Sequence, residues 1–186
     1  AVRAGMAATP LDEACRAVLA RLSDDSGLTA YLSTLNQRET VVLQRLNGSH
    51  PVQVLSPPGS RRNASGTAMG RALLSRLSEA EFQALYGTDA AQPLPMEGRD
   101  CPATVGDLAR LVAQTRADHC GVAIDQAMPG IGAVAAAVRD PATGELRGLC
   151  LSFVSFQADA ARVARLRESV LPVSYTHLTL PTKRIV

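Results

Sequence analysis

A series of short apolar runs joined by tight turns is the feature that most constrains the fold. The run IGAVAAAVRD at 131–140 enters the turn DPATG at 140–144, and ELRGLCLSFVSF at 145–156 returns from it. Residues 28–35 and 40–46 likewise flank the polar turn NQRE. Strands joined this closely run antiparallel, because a parallel crossover needs about a dozen residues or more. The pattern therefore predicts an antiparallel sheet rather than strict β-α alternation.

Helix signals lie before and between these runs. Thr9, which precedes Pro10, is a capping residue followed by proline at the first helical position. Capping boxes open at Ser78 and Thr104. We expect the helix from Ser78 to end at Gly87, and the helix from Thr104 is predicted to close at Gly121.

Three further segments complete the predicted order of elements. Residues 51–55 follow the turn signal Asn47-Gly48 and are predicted to form a third strand. A helix is expected to end near Leu77, and a last helix presents one apolar face over 163–170. The order predicts an α+β domain, an antiparallel sheet flanked by helices.

The composition bounds the class of protein. With 186 residues and 46% hydrophobic content, the chain has the size of one globular domain. Its net charge of +2 is too small by itself to indicate a nucleic-acid surface. No apolar run approaches the roughly 18 residues of a membrane span, and no secretion signal opens the sequence. The four cysteines form no CxxC pair, which is typical of reduced, buried thiols in the cytoplasm.

The end of the chain differs in composition from the rest. Lys183 is the only lysine, and it lies in a threonine-rich stretch. We therefore expect residues 173–186 to be a non-native or disordered tail. Residues 1–8 are interpreted as the remnant of an interdomain linker, and the domain is predicted to span residues 9–172.

The sequence carries no recognisable catalytic or metal-binding motif. GxSxG, Walker-type and HExxH patterns are absent. The histidines lie in a turn (His50), at a helix end (His119) and in the tail (His177). Cys120 is adjacent to His119, but neighbouring residues rarely reach the same zinc ion. We predict no enzyme activity, no metal and no cofactor.

The stretch PPGSRRNASGTAMGRALLSRL at 57–77 combines turn residues, two arginines and a helix start built from small residues. One interpretation is a solvated loop followed by an ordinary helix. The other is a loop over a ligand cavity, where N–H groups near Ala68 and Met69 receive an anionic oxygen. The residues alone leave both interpretations open.

Small and polar residues also concentrate on the last predicted strands. Four alanines between 133 and 137 leave volume over the sheet, which either a closely packed helix or a cavity occupies. Cys150 and Ser152 are two residues apart and therefore point to one face, where they suit directed hydrogen bonds in an apolar pocket. Asp125 either points into apolar surroundings or orders a turn as an Asx residue.

Three segments occur in a fixed order: PPGSRRN…TAMGRALL, GVAIDQAMPGIGAVAAAVRD and LRGLCLSFVS. Together they resemble the effector-binding domain of IclR-family transcriptional regulators, over roughly residues 9–172. The resemblance implies a GAF-like antiparallel sheet flanked by helices. The sequence departs from the family pattern at Ala133 and Ala137, where a cysteine and a proline are usual, and in the shortened acidic segment at 126–128.

The resemblance further implies an effector site between the sheet and the loop-helix segment. The implied effector-binding residues are Val54, Arg62, Ala68, Met69, Asp125, Ile131, Ala133, Cys150 and Ser152. The implied effector is a small organic acid, carboxylic or aromatic. Its binding would modulate operator DNA binding by an N-terminal winged helix-turn-helix domain, which residues 1–8 are too short to form. A homodimer or tetramer without a membrane partner is the implied assembly.

Two other classes of function stay open at this point. A GAF-type thiol redox enzyme would use Cys101 or Cys120 as nucleophile on a small oxidised substrate, and Arg116 and His119 lie near Cys120 in sequence. The third class is a dimerisation module that binds no ligand. Thiol reactivity at neutral pH favours the enzyme, whereas a melting shift with small organic acids favours the sensor.

Overall fold

The computed structural model describes residues 9–98 and 100–175 of the chain. The helices within these residues are α1 (Pro10–Ser26), α2 (Ala68–Leu74), α3 (Glu79–Tyr86), α4 (Val105–Asp118) and α5 (Ala160–Tyr175). The strands are β1 (Thr29–Asn36), β2 (Glu39–Leu46), β3 (Arg61–Asn63), β4 (Gly121–Ile124), β5 (Ile131–Arg139) and β6 (Leu146–Val154).

The strands form one antiparallel sheet in the order β3-β2-β1-β6-β5-β4. The hairpins β1–β2 and β5–β6 are the two that the short turns predict, and β6 lies beside β1 in the middle of the sheet. The prediction of an α+β fold with an antiparallel sheet flanked by helices is confirmed.

Helices cover both faces of the sheet and divide the buried apolar residues into separate clusters. On one face, α1 and α5 contribute Leu19 and Val170 to a cluster with Leu151 of β6. On the other face, α2 packs Leu73 against Ala135 of β5. A third cluster joins α2 to α3 and α4. Because successive strand residues point to opposite faces, the two sheet faces are free to differ in character.

The predicted helix starts are confirmed. Thr9, Ser78 and Thr104 each accept a hydrogen bond from the N–H three residues on, and the acidic residue there bonds back to the cap. At α1 these bonds join Thr9 and Asp12 at 3.2 and 3.0 Å. Such reciprocal bonds satisfy N–H groups that have no acceptor within the helix.

The end of α4 differs from the prediction. The helix ends at Asp118 and is capped by His119 in the left-handed region, with φ 55°. Gly121 therefore does not close a helix but begins β4. A Cβ atom on Gly121 would lie 2.4 Å from the carbonyl oxygen of Ala68, so the strand and α2 approach each other closely only because the residue is glycine.

The prediction of a third strand at 51–55 is wrong. This segment lies outside the sheet, and the third strand is β3, Arg61–Asn63, within the stretch predicted to be a loop. The reason is a long-range contact, because the hydroxyl of Tyr31 on β1 bonds the backbone of Val54 and Ser56. The segment therefore packs beside Tyr31 instead of extending the sheet.

Helix α5 continues past the predicted domain boundary at Pro172. Val173 is buried in the cluster that contains Val170, so this residue packs with the domain and not with a tail. The predicted linker remnant at 1–8 and the remaining tail at 176–186 lie outside the described residues. In the part of the chain that the structure describes, no helix is long and apolar enough to span a membrane.

Candidate ligand-binding cavity

A cavity of about 130 Å³ opens beside the start of α2, on the sheet face that this helix covers. Its lining residues are Tyr31, Ser33, Thr40, Val42, Val54, Ser56, Arg62, Thr67, Ala68, Met69, Ala123, Ala127, Met128, Ile131, Ala133, Cys150 and Ser152. A cavity of roughly 150 Å³ holds one benzene ring. The enclosed part of this cavity therefore suits a ligand of about that size.

The strands form the floor of the cavity through residues that share one face of the sheet. Ser152 on β6 pairs with Ala133 on β5, and Cys150 pairs with Tyr31 on β1. Cross-strand partners point to the same side of a sheet, so small and polar side chains meet at this place. The sulfur of Cys150 lies 3.8 Å from the hydroxyl of Ser152.

The alanines of β5 make room both for a closely packed helix and for the cavity. Ala135 and Ala137 are buried against α2. Ala133, two residues earlier on the same face, lines the cavity. On the neighbouring strand, a Cβ atom on Gly148 would lie 2.3 Å from the sulfur of Met69. The small residues thus let the helix approach the sheet, and the space beyond its first turn stays open.

Tyr31 holds the wall formed by residues 54–56. Its hydroxyl donates a hydrogen bond to the carbonyl oxygen of Val54 and accepts one from the N–H of Ser56 at 3.1 Å. Burial raises the pKa of Tyr31 above its ordinary value, so the phenol stays protonated and keeps this donor at neutral pH. The ring and the wall that it holds both border the cavity.

The first turn of α2 forms the opposite wall. The hydroxyl of Thr67 accepts a hydrogen bond from the N–H of Gly70 at 2.9 Å and caps the helix. The first N–H groups of a helix have no acceptor within it. Ala68 and Met69 carry the first two of these N–H groups, and both residues line the cavity. This placement is the one required if the stretch at 57–77 covers a ligand cavity.

Arg62 is the one charged residue among those that line the cavity. It lies exposed on β3, and no hydrogen bond or ion pair of its guanidinium is present within residues 9–98 and 100–175. The neighbouring Arg61, in contrast, pairs with Glu39 at 2.8 Å and lies outside the cavity lining. An anionic ligand in this cavity would therefore lie near one cationic side chain, that of Arg62.

Eight of the nine residues implied by the resemblance line the cavity, and Asp125 does not. Asp125 takes φ 57°, and its carboxylate accepts hydrogen bonds of 2.7 Å from the N–H of Gly130 and the hydroxyl of Ser155. It orders the turn between β4 and β5, which matches the alternative of a turn-forming aspartate.

About half of the lining residues were not predicted from the sequence. The missed residues are Tyr31, Ser33, Thr40, Val42, Ser56, Thr67, Ala123, Ala127 and Met128. Tyr31 and Ser33 could have been found from strand alternation, because they are two apart in a predicted strand and both carry hydroxyls. Ser56 and Met128 lie on loops whose positions depend on distant contacts, so no local signal identifies them.

The thiols do not favour the redox alternative. All four cysteines are free and buried. Burial raises the pKa of Cys150 to about 12 and also raises the pKa of Cys120, so both stay protonated at neutral pH. The buried Cys101 donates from its sulfur to the carbonyl of Gln126 at 3.2 Å. A catalytic thiol needs an accessible thiolate in electropositive surroundings.

Metal ligands do not cluster in the described part of the chain. There, no three His, Cys, Asp or Glu side chains are placed to hold one ion. His119 caps α4 with its backbone, and the sulfur of Cys120 points to the carbonyl of Gly121 at 3.6 Å.

Comparison with known proteins identifies the family. The sequence model of the family described as "Bacterial transcriptional regulator IclR C-terminal" matches residues 5–175. The HTH-type transcriptional regulator XynR of Escherichia coli is 28% identical over 155 residues, which cover 82% of this chain and 59% of XynR. The chain thus spans less than two thirds of that curated relative.

Solved structures share the fold. The IclR of Thermotoga maritima superposes with a TM-score of 0.78 at 16% identity, over 88% of this chain and 65% of that one. An IclR homolog of Microbacterium hydrocarbonoxydans, complexed with 4-hydroxybenzoate, gives 0.73 at 20% identity, over 94% of this chain and 70% of that one. With the family match over nearly its whole length, the chain belongs to the IclR family of bacterial transcriptional regulators and carries their C-terminal domain.

Proposed function

We propose that this domain senses a small monocarboxylic acid with about one ring or a short chain, bound in the cavity beside α2. The observation that carries the proposal is Arg62, the one charged residue lining the cavity, which has no ionic partner among the described residues. A carboxylate beside Arg62 gains a charge-assisted hydrogen bond. The apolar part of the ligand then lies over Ile131 and Ala133. The hydroxyls of Ser33 and Ser152 are available to a second polar group of the ligand.

The aromatic acids are the first class to test. The Microbacterium homolog was crystallised with 4-hydroxybenzoate, which has one ring, one carboxylate and one hydroxyl. The cavity described above has room for about one ring. Both considerations support a hydroxylated aromatic acid, and short keto acids are the smaller alternative.

We also propose that effector binding modulates DNA binding by a winged helix-turn-helix domain outside this chain, in a cytoplasmic regulator. The support is that XynR is named a helix-turn-helix regulator and that the chain spans 59% of it. A homodimer or tetramer is proposed, because paired DNA half-sites are matched by a protein with twofold symmetry. Mass in solution and retardation of promoter DNA by the chain test this part, and sequence-selective retardation by the chain itself would contradict it.

The binding experiment is a thermal-unfolding screen with aromatic and short keto acids, followed by calorimetric titration. A ligand at a hundred times its Kd stabilises the folded state by about 2.7 kcal/mol. We expect Arg62→Gln to weaken acid binding about tenfold or more, since it removes a charge-assisted bond. Arg61→Gln is the matched control on the same strand, and it should bind as the parent chain does. A panel that shifts no melting temperature contradicts the proposal.

A further inference from the structure

Arg71 on α2 is a buried arginine. It is 2% exposed. None of the ion pairs within the described residues involves it. Burial lowers its pKa to about 10, so the guanidinium keeps its charge at neutral pH. Burying a charge without a counter-ion is unfavourable, and an apolar side chain of similar size is often tolerated as well or better in such a place.

The guanidinium is instead held by two neutral acceptors outside α2. Its Nη1 donates to the side-chain oxygen of Gln126 at 2.7 Å, and its Nη2 donates to the carbonyl oxygen of Val122. Both acceptors belong to β4 and the turn that follows it. Arg71 therefore links α2 directly to this segment.

Both ends of that link adjoin residues that line the cavity. Ala123, Ala127 and Met128 lie within two residues of an acceptor in sequence and form one wall. Two and three residues before Arg71 on α2, Met69 and Ala68 form another. Arg71 itself is not among the lining residues. It therefore has the position to fix the distance between two walls without touching a ligand.

Other contacts hold the same segment. Strand β4 pairs with β5 along its length, from Gly121 opposite Ala135 to Ile124 opposite Gly132. Asp125 anchors the far end of the turn through Gly130 and Ser155. Cys101 donates to the backbone oxygen of Gln126 at 3.2 Å. The Gln126 side chain and the Val122 carbonyl, in contrast, are bonded by Arg71.

We propose that Arg71 is a positioning residue that holds the wall at 122–128 against α2 and thereby sets effector affinity. The proposal rests on the proposed function of the cavity for its effect on affinity, but not for its effect on the wall. The wall is therefore measured separately, by amide hydrogen exchange without any ligand. Affinity is measured by calorimetry with 4-hydroxybenzoate as the probe.

The test uses Arg71→Met, which keeps an elongated side chain but removes the guanidinium and with it both hydrogen bonds. We expect amides in residues 122–128 to exchange at least tenfold faster and the Kd for 4-hydroxybenzoate to rise at least tenfold. Arg116→Met is the control, because Arg116 is also an arginine that donates two hydrogen bonds, in its case to the backbone carbonyls of Ser75 and Leu77, which do not line the cavity. It should leave both readouts as in the parent chain.

Two variants of Gln126 keep the proposal testable even where Arg71→Met does not fold. Gln126→Ala removes one of the two bonds and should raise exchange at 122–128 in part. Gln126→Glu supplies a carboxylate to Arg71 and should slow that exchange below the parent level. Unchanged exchange at 122–128 in a folded Arg71→Met or in Gln126→Ala overturns the proposal, as does faster exchange with unchanged affinity. If the parent chain does not bind 4-hydroxybenzoate, the proposed ligand class is contradicted. The exchange data then still test whether Arg71 holds residues 122–128.

Discussion

Replacing Ala133 with leucine should close the cavity and stabilise the domain at the same time. Ala133 faces open space in the cavity floor, and its partner across the strand is Ser152. The substitution adds three carbon atoms, a large part of what a cavity of about 130 Å³ accommodates. We expect acid binding to be lost, because the ligand and the leucine need the same space.

The gain in stability follows from the apolar surface that the leucine buries. Three buried carbons at about 0.8 kcal/mol each contribute about 2.4 kcal/mol. Fixing a leucine side chain costs about 0.5–1 kcal/mol of conformational entropy. The opening of the cavity to solvent reduces the buried area, so the free energy of unfolding should rise by about 1 kcal/mol.

Ala135→Leu is the control, since Ala135 lies two residues along the same face but is fully buried against α2. There, three added carbons overpack the core, and we expect a loss of about 1–3 kcal/mol. Urea unfolding of both variants gives the free energies, and calorimetric titration with 4-hydroxybenzoate gives the affinity. If Ala133→Leu is destabilised as much as Ala135→Leu, or if it still binds the acid, the position of the cavity is wrong.

Three further predictions concern single contacts. Tyr31→Phe removes the hydroxyl that holds residues 54–56, and urea unfolding should show a loss of about 1–2 kcal/mol because the half-buried carbonyl of Val54 and N–H of Ser56 lose their hydrogen-bond partner. Thr104→Ala removes the cap of α4 and should cost about 1 kcal/mol in the same assay. The hydrogen bond from Arg139 lowers the pKa of Glu81 from 4.5 to about 2. The pair of Glu81 and Arg139 stabilises the folded state fully above pH 4.5, and this contribution is lost as the pH falls towards 2. In Glu81→Gln, the free energy of unfolding should therefore depend less on pH between 4.5 and 2.

Local rules account for the parts of the fold that the sequence predicts well. The capping boxes at Ser78 and Thr104 depend on residues three apart, and both form as expected. The hairpins depend on short turns between apolar runs, and both are present. The strand β4 was not predicted because four residues, GVAI, are too few to show a period, and only two residues separate them from α4.

Contacts between distant residues account for what the sequence could not predict. The segment at 51–55 has the composition of a strand, but Tyr31, 23 residues before Val54, holds it beside the sheet. Arginine is almost never fully buried unless it is paired, so nothing in the sequence marks Arg71 as interior. Eight of the nine residues implied by the resemblance come together at the cavity, because a resemblance carries three-dimensional information that periodicity does not contain.

The start of α2 sets the size of the cavity. Along one sheet face, Ala137, Ala135 and Ala133 follow each other, and α2 covers the first two. The helix goes no further because Thr67, with extended backbone at φ −119° and ψ 149°, caps it with its hydroxyl. Beyond this cap, Ala133 borders open space, whereas Met69 and Leu73 fill the space over Gly148. A single N-cap thus ends the packed core and begins the cavity.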